Sequence, residues 1–276
     1  MSADPSLEYG YARLSARLSG RPDERLWRQL RSARSLQAAI DAVRGSAAAP
    51  YVAGVAMRGT IDSVELAFRQ HLRGRIREVT TWAPQAWRAA LRWSELLVDL
   101  PVIQHLLGDA RLPHWLHDDP HLSAYAIPDR ITRRARLTQG LLAPLVAALA
   151  HHEAPRPAGA SRRGGGDRLH PLLNAWQAQW QQRWPGCSDE QRAALLLLAH
   201  TVHSHLATFA TLPAEATAAS RERLAERVRR QLHDAAGQPA ALFAYLLLVA
   251  LDLERLRGEF VLRAAERAFV DAEAPA

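Results

Sequence analysis

Near the end of the chain the apolar residues Leu242, Leu246, Val249, Leu253, Leu256 and Phe260 follow one another at alternating spacings of four and three. That repeat lets an α-helix present one continuous seam to a neighbouring helix. A β-strand cannot use it, because a strand turns every second residue to the same face. A helix over about 239 to 270 would be on the order of 45 Å long, which suits an elongated body, and its seam must pack on another helix.

The same logic runs back through the chain. Leu7, Tyr11, Leu14 and Leu18 form one helical stripe, Leu26 and Leu30 a second, and Leu36, Ile40 and Val43 a third, with Ser35 placed to cap it and Gly45 just past its end. Asp62 with Glu65 reads as a capping pair opening a helix whose apolar face is Val64, Phe68, Leu72 and Ile76. Trp87, Leu91 and Val98 share a face up to Pro101, which starts a new helix or kinks the old one before Ile103, Leu106 and Leu107. Residues 108–129 contain Pro113, Pro120 and Pro128 and read as loop, and Ile131 to Leu149 returns to helix.

Beyond residue 168, Leu169, Leu173, Trp176, Trp180 and Trp184 stack along one face until Pro185 and Gly186. Ser188 and Gln191 form a capping box for a helix burying Leu195, Leu198, Val202, Leu206 and Phe209, and Leu224, Val228 and Leu232 mark the next. Sustained alternation of period two is missing throughout, so the fold class is all-α, an elongated multi-helix bundle. The stretch 153–167 holds spaced prolines and Gly164, Gly165 and Gly166, which favour solvated, irregular backbone. It reads as a linker between an N-terminal helical region, 1–152, and a C-terminal helical region, 168–276, that ends in the long helix.

Composition narrows the function. The chain has 276 residues and is 48% hydrophobic, enough for a real core without staples. Cys187 is the one cysteine, so neither an intrachain disulfide nor a zinc site built on cysteines can form. The opening Met1-Ser2-Ala3-Asp4-Pro5-Ser6 is acidic and polar, unlike a secretory leader. The longest uncharged apolar run, Ala240 to Leu251, is short of the roughly 20 residues that span a bilayer. A soluble, cytoplasmic protein follows as the expectation.

All 35 cationic side chains are arginine, with a formal charge of +7. Guanidinium groups pair bidentately with carboxylates and phosphates. The absence of lysine rules out the P-loop lysine and Schiff-base chemistry. No Gly-x-Ser-x-Gly elbow, Gly-x-Gly-x-x-Gly fingerprint or His-Glu-x-x-His helix is present. The expectation is a protein that is no enzyme, holds no cofactor and takes no small-molecule substrate.

His114, His117, Asp118 and His121, with Asp119 among them, are the candidate metal ligands, because imidazole and carboxylate so closely spaced suit zinc or another divalent ion. Their spacing does not put two histidines on one helix face four residues apart, and a solvated polar loop is the plainer reading. His117-Asp118 also resembles the central pair of HD-type metal phosphohydrolases, which would imply a metal-dependent hydrolase. His200, His203 and His205 share a helix, where packed histidines are commoner than ligands.

Arginines interleave with aromatics at Trp82, Trp87, Arg88, Arg92 and Trp93, and cluster at Arg130, Arg133, Arg134 and Arg136 and at Arg221, Arg223, Arg227, Arg229 and Arg230. Such a face could bind nucleic acid through phosphate contacts and stacking, or serve a regulatory interaction. Glu222 and Glu226 lie at pairing distance within the last cluster, which also fits an ordinary solvated helix face.

Tyr9-Gly10-Tyr11-Ala12-Arg13-Leu14, then Ser35 to Ile40, then Ser46 to Pro50-Tyr51, together resemble the start of the C/d family of central-stalk subunits in V-type rotary ATPases. Glu65-Leu66 falls where that family often has a glutamate, and Leu253 to Glu259 resembles its acidic, arginine-bearing last helix. The resemblance covers about the first eighty residues and the last thirty. It implies three related helical lobes forming a funnel that links the rotor axle to the ion-translocating membrane ring. It implies no catalysis, partners that are other ATPase subunits, a place peripheral to the membrane through them, and Arg13 and Arg255 as interface candidates.

Overall fold

A computed structural model describes residues 5–55, 60–108, 111–152, 169–209 and 213–273. The described residues are helical with no strand among them, so the all-α class holds. They group into two compact units, one made of Met1–Gln85 with Cys187–Ala276 and the other of Ala86–Gly186. This differs from the sequential split expected at 153–167, a stretch outside the described residues. The reason is the seam of the last helix, which finds its partners at the other end of the chain.

In the first unit, α1 (Pro5–Leu18), α2 (Glu24–Ser32), α3 (Leu36–Arg44) and α4 (Ile61–Trp82) come from the N-terminal segment. From the C-terminal segment come α11 (Asp189–Phe209), α12 (Ala214–Asp234) and α13 (Pro239–Glu273). Helix α13 packs against α1, α3, α4, α11 and α12. Leu242, Leu246, Val249, Leu253, Leu256 and Phe260 are all buried, and the Phe260 ring lies 5.7 Å from that of Phe68 on α4.

The seam explains only half of this helix. From Ala240 to Leu246 every residue is buried, so the N-terminal part is enclosed on all sides. A helix apolar all round belongs inside a protein or a membrane, and no helix among the described residues is long and apolar enough to cross a membrane. Gly237, at φ +70°, makes the tight turn from α12 into α13, a conformation other residues rarely adopt.

Local signals set several helix ends. Ser35 caps α3 by accepting from the Ala38 N–H at 3.1 Å, and Ser188 and Gln191 cap α11 reciprocally at 3.2 Å each. At α4 the cap lies earlier than the sequence suggests: Thr60 and Ser63 make the reciprocal pair, and Asp62 lies in the first turn. Glu65 is thereby released from capping.

The second unit contains α5 (Arg88–Trp93), α6 (Leu100–Leu106), α7 (Trp115–Asp118), α8 (Arg130–Leu137), α9 (Ala143–His152) and α10 (Leu169–Gln181). Pro101 sits in the first turn of α6, where its missing N–H costs nothing. The helix expected over Ile131 to Leu149 is two helices, broken at Gly140 with φ +101°. The described residues of the region 108–129 are mostly loop, but α7 forms one turn among them because Trp115 and Leu116 bury themselves.

Trp93 and Trp176 tie α5 to α10 by giving each other's carbonyl oxygen an indole N–H, at 3.0 and 3.2 Å. The Arg183 guanidinium lies 3.9 Å from the Trp93 ring centroid, a cation–π geometry. Arg133, 3% exposed, points inward from α8 and donates to the carbonyls of Leu106, Gly108, Ile127 and Pro128. One guanidinium thus satisfies the loose backbone of two segments, 106–108 and 127–128.

Candidate functional site

The most elaborate polar chemistry in the first unit joins the N-terminal segment to α13. Asp252 sits on α13 beside the apolar seam and is buried. Arg21, in the turn between α1 and α2, grips it bidentately, with Nε 2.7 Å from Oδ2 and Nη2 2.9 Å from Oδ1. The Tyr51 hydroxyl donates to the same Oδ2 at 3.3 Å. Burial pushes the Asp252 carboxyl above its usual range, against the opposing pull of the Arg21 guanidinium. Burial, and after it the neighbouring carboxylate, likewise pushes the Tyr51 phenol up, so it remains a donor at neutral pH.

The Tyr51 ring stacks on His71 of α4 with centroids 4.5 Å apart. Burial first, then the charge of Arg75, lowers the His71 pKa to about 4. It is therefore neutral at physiological pH, and its Nε2 has no partner. Further along α13, Arg257 reaches Glu65 of α4 at 2.7 Å and also pairs with Glu254. Glu65 is held from the other side by Arg69 at 2.6 Å. These side chains form a set of ion pairs between segments some 192 and 231 residues apart in sequence.

The two arginines singled out as interface candidates are engaged inside this unit. Arg13 is exposed on α1, with its guanidinium 5.9 Å from the Tyr9 ring and 5.3 Å from the Trp82 ring. Arg255 lies 4.1 Å from the Trp27 ring and 3.3 Å from the Glu222 carboxylate. Their arrangement is that of braces between helices.

The histidine-rich loop does not assemble a metal site. Burial of Trp115 and Leu116 turns His114, His117 and Asp118 outward, and all three are exposed. His121 lies at 3.8 Å from Glu95. Asp119 is buried but spends one oxygen on the N–H groups of His121 and Leu122, at 2.9 and 3.3 Å. Among the described residues no group of three His, Cys, Asp or Glu side chains could hold a metal ion. On α11, His205 lies 3.5 Å from the Ser220 hydroxyl, and burial, then Arg221, lowers its pKa.

The arginine clusters are similarly divided. Trp82, Trp87 and Trp93 are buried, so they offer no open faces on which bases could stack. On α12, Glu222 pairs with Arg255 and Glu226 with Arg229. On α8, Arg133 is consumed by backbone carbonyls, while Arg130, Arg134 and Arg136 face solvent.

Sequence reading did not find the Arg21, Tyr51 and Asp252 cluster, nor the role of His71. A signal existed for Asp252: it is a carboxylate flanked by Leu251 and Leu253 at the end of the longest uncharged apolar run of the chain, and such a group needs a buried cation. Nothing in the sequence designates Arg21 among 35 arginines as that cation.

Together the fold and these contacts define an all-α protein of two compact units, one of which is closed by ion pairs between the two ends of the chain. Compared with protein-family models, with curated proteins and with solved structures, the chain gives no match.

Proposed function

We propose that this protein is a noncatalytic central-stalk subunit of a V-type rotary ATPase, linking the rotor axle to the membrane ring. One observation carries the reading. The two separated stretches that resemble that family, the first eighty residues and the last thirty, are packed on each other in one unit. Residues that carry the resemblance make the joint: Glu65 pairs with Arg257, and Tyr51 donates to the residue just before the Leu253 to Glu259 run. Chance local likeness at two distant places gives no reason for such contiguity.

The physical demand on a coupling subunit is stiffness, since torque is lost in any element that yields. Helix α13, about 50 Å long if straight, is clamped by aliphatic packing along its seam and by charged pairs beside it. Association with the membrane would then be peripheral, at the cytoplasmic face, through the partner subunits. The test is gentle-detergent affinity purification of the tagged protein from its native membranes, with mass spectrometry of the co-purifying chains. Recovery of rotor-axle and ring subunits is expected. Recovery of nucleic acid, or of no membrane subunit, overturns the proposal.

A further inference from the structure

The two most exposed large apolar side chains among the described residues, Ile131 at 80% and Leu141 at 60%, fall in one short stretch, on α8 and in the turn that follows it. The helix is anchored in its unit by Arg133 and Leu137, one turn apart and both buried. At 3.6 residues per turn the opposite side carries Ile131 and Ala135, with Arg134 on one flank and Arg136 on the other, and all four are exposed. A shallow concavity of about 380 Å³ lies over this side, lined by Arg130, Ile131, Arg134, Ala135 and Thr138.

The sequence around α8 does not balance its charge. From His121 to His152 it holds one carboxylate, Asp129, and that group accepts the Thr132 N–H at 2.7 Å as the cap of α8. The arginine cluster of α12, by contrast, is interleaved with Glu222 and Glu226, and both glutamates pair with arginine. On α8 the outward arginines instead bracket an isoleucine held in water.

Such a side chain gains from any apolar phase it can enter. Guanidinium groups bind phosphate oxygens bidentately, and their aliphatic stems can lie along apolar surface while the charge stays at the boundary. A nucleic-acid backbone supplies the phosphates but no apolar phase beneath them. An anionic bilayer supplies both, with acyl chains directly below a layer of phosphates. We infer that the outer side of α8 docks on the surface of an anionic phospholipid bilayer, with Ile131 entering between the lipids and Arg130, Arg134 and Arg136 on headgroup phosphates. Each arginine near such a surface contributes about fivefold in affinity, so the contact is weak singly and useful as a set. The inference needs no partner subunit, and it stands or falls apart from the rotary-ATPase reading.

The test is co-sedimentation of the full chain with vesicles of phosphatidylcholine alone or mixed with about 30% phosphatidylglycerol. Binding to the mixed vesicles that falls with added salt, and little binding to phosphatidylcholine, is expected. R134Q/R136Q should weaken binding at least about tenfold. Ile131→Ser leaves the charge alone and should weaken it at least about threefold. The formal charge of +7 draws the whole protein to any anionic surface, so R223Q/R230Q removes the same charge from α12 and should bind like the parent. All the substituted side chains are exposed, and each variant is expected to melt like the parent. Equal losses in R134Q/R136Q and R223Q/R230Q, or undiminished binding by Ile131→Ser, overturn the inference. Failure to bind the mixed vesicles overturns it as well, whether or not a duplex oligonucleotide binds through the same arginines.

Discussion

The two units solve the same problem, holding helices together, with different chemistry. The first ties its distant segments by carboxylate and guanidinium pairs, Arg21 with Asp252 and Glu65 with Arg257, beside a dense aliphatic seam. The second uses charge without counter-charge: Arg133 spends its guanidinium on backbone carbonyls, and Trp93 and Trp176 exchange indole hydrogen bonds. The difference follows from helix length. Long helices such as α4 and α13 satisfy their own backbones internally, so side chains are free to pair with each other. Short pieces such as α6, α7 and α8 expose a high proportion of unpaired terminal carbonyls, and the side chains must serve those first.

The first unit depends most heavily on the seam of α13. Replacing Leu253 and Leu256 together by serine removes two fully packed side chains, each worth about 2–5 kcal/mol, comparable to the total stability of a domain. Loss of the cooperative unfolding transition in circular dichroism is expected, and unchanged melting would refute the seam as the organiser of the first unit.

Next in size are the two buried arginine systems. Asp252→Asn keeps the shape but strips Arg21 of its counter-charge, at a cost of about 3–5 kcal/mol. Arg133→Met orphans carbonyls at Leu106, Gly108, Ile127 and Pro128 and is expected to cost about 3 kcal/mol. Urea titrations of each variant measure both. A loss below about 0.5 kcal/mol, the level of ordinary surface substitutions, would show that the corresponding tie is ornamental.

Acid should separate the units more finely. His71 has a pKa of about 4 against an ordinary 6.5. A depressed folded-state value means the neutral ring is what the fold accepts. Its contribution is complete above pH 6.5, falls as pH drops through that window and is gone below about 4, a change on the order of 3 kcal/mol. His71→Phe should flatten the stability profile between those pH values while keeping the stack on Tyr51. An unchanged acid limb would mean that another group governs it.

The smallest expected effect is at the indole pair. Trp176→Phe deletes the donor to the Trp93 carbonyl while keeping an aromatic side chain, a loss of about 1 kcal/mol for the hydrogen bond, read as a modest shift of the urea midpoint. A larger effect would show that Trp176 matters chiefly through its packing and the stack with Trp180, whose ring centroid is 5.5 Å away.

Much of this architecture was legible in the residues. The heptad-like seam, the caps at Ser35 and Ser188, the face of Val64, Phe68, Leu72 and Ile76, and the tryptophan face through Trp180 all follow from local spacing. Local rules failed where two signals competed. Thr60 and Ser63 capped α4 ahead of Asp62 and Glu65, because the shorter side chains reach the terminal N–H groups and leave Glu65 for Arg257. Gly140 broke a stretch whose apolar pattern continued unbroken. The histidine loop looked like a ligand set because types and spacing were right, yet the burial of Trp115 and Leu116 decides which way its side chains turn.

What the sequence by itself determined is the helix content, the apolar faces and the excluded chemistries, since each depends on neighbours within a turn or two. The tertiary structure alone decided that the last helix belongs with the first four and that Asp252 answers to Arg21. The physical reason is degeneracy: an apolar seam fits many partners, and any of 35 arginines could neutralise a carboxylate. Only the packed chain, by excluding water from one such pair and leaving the rest in it, makes the choice.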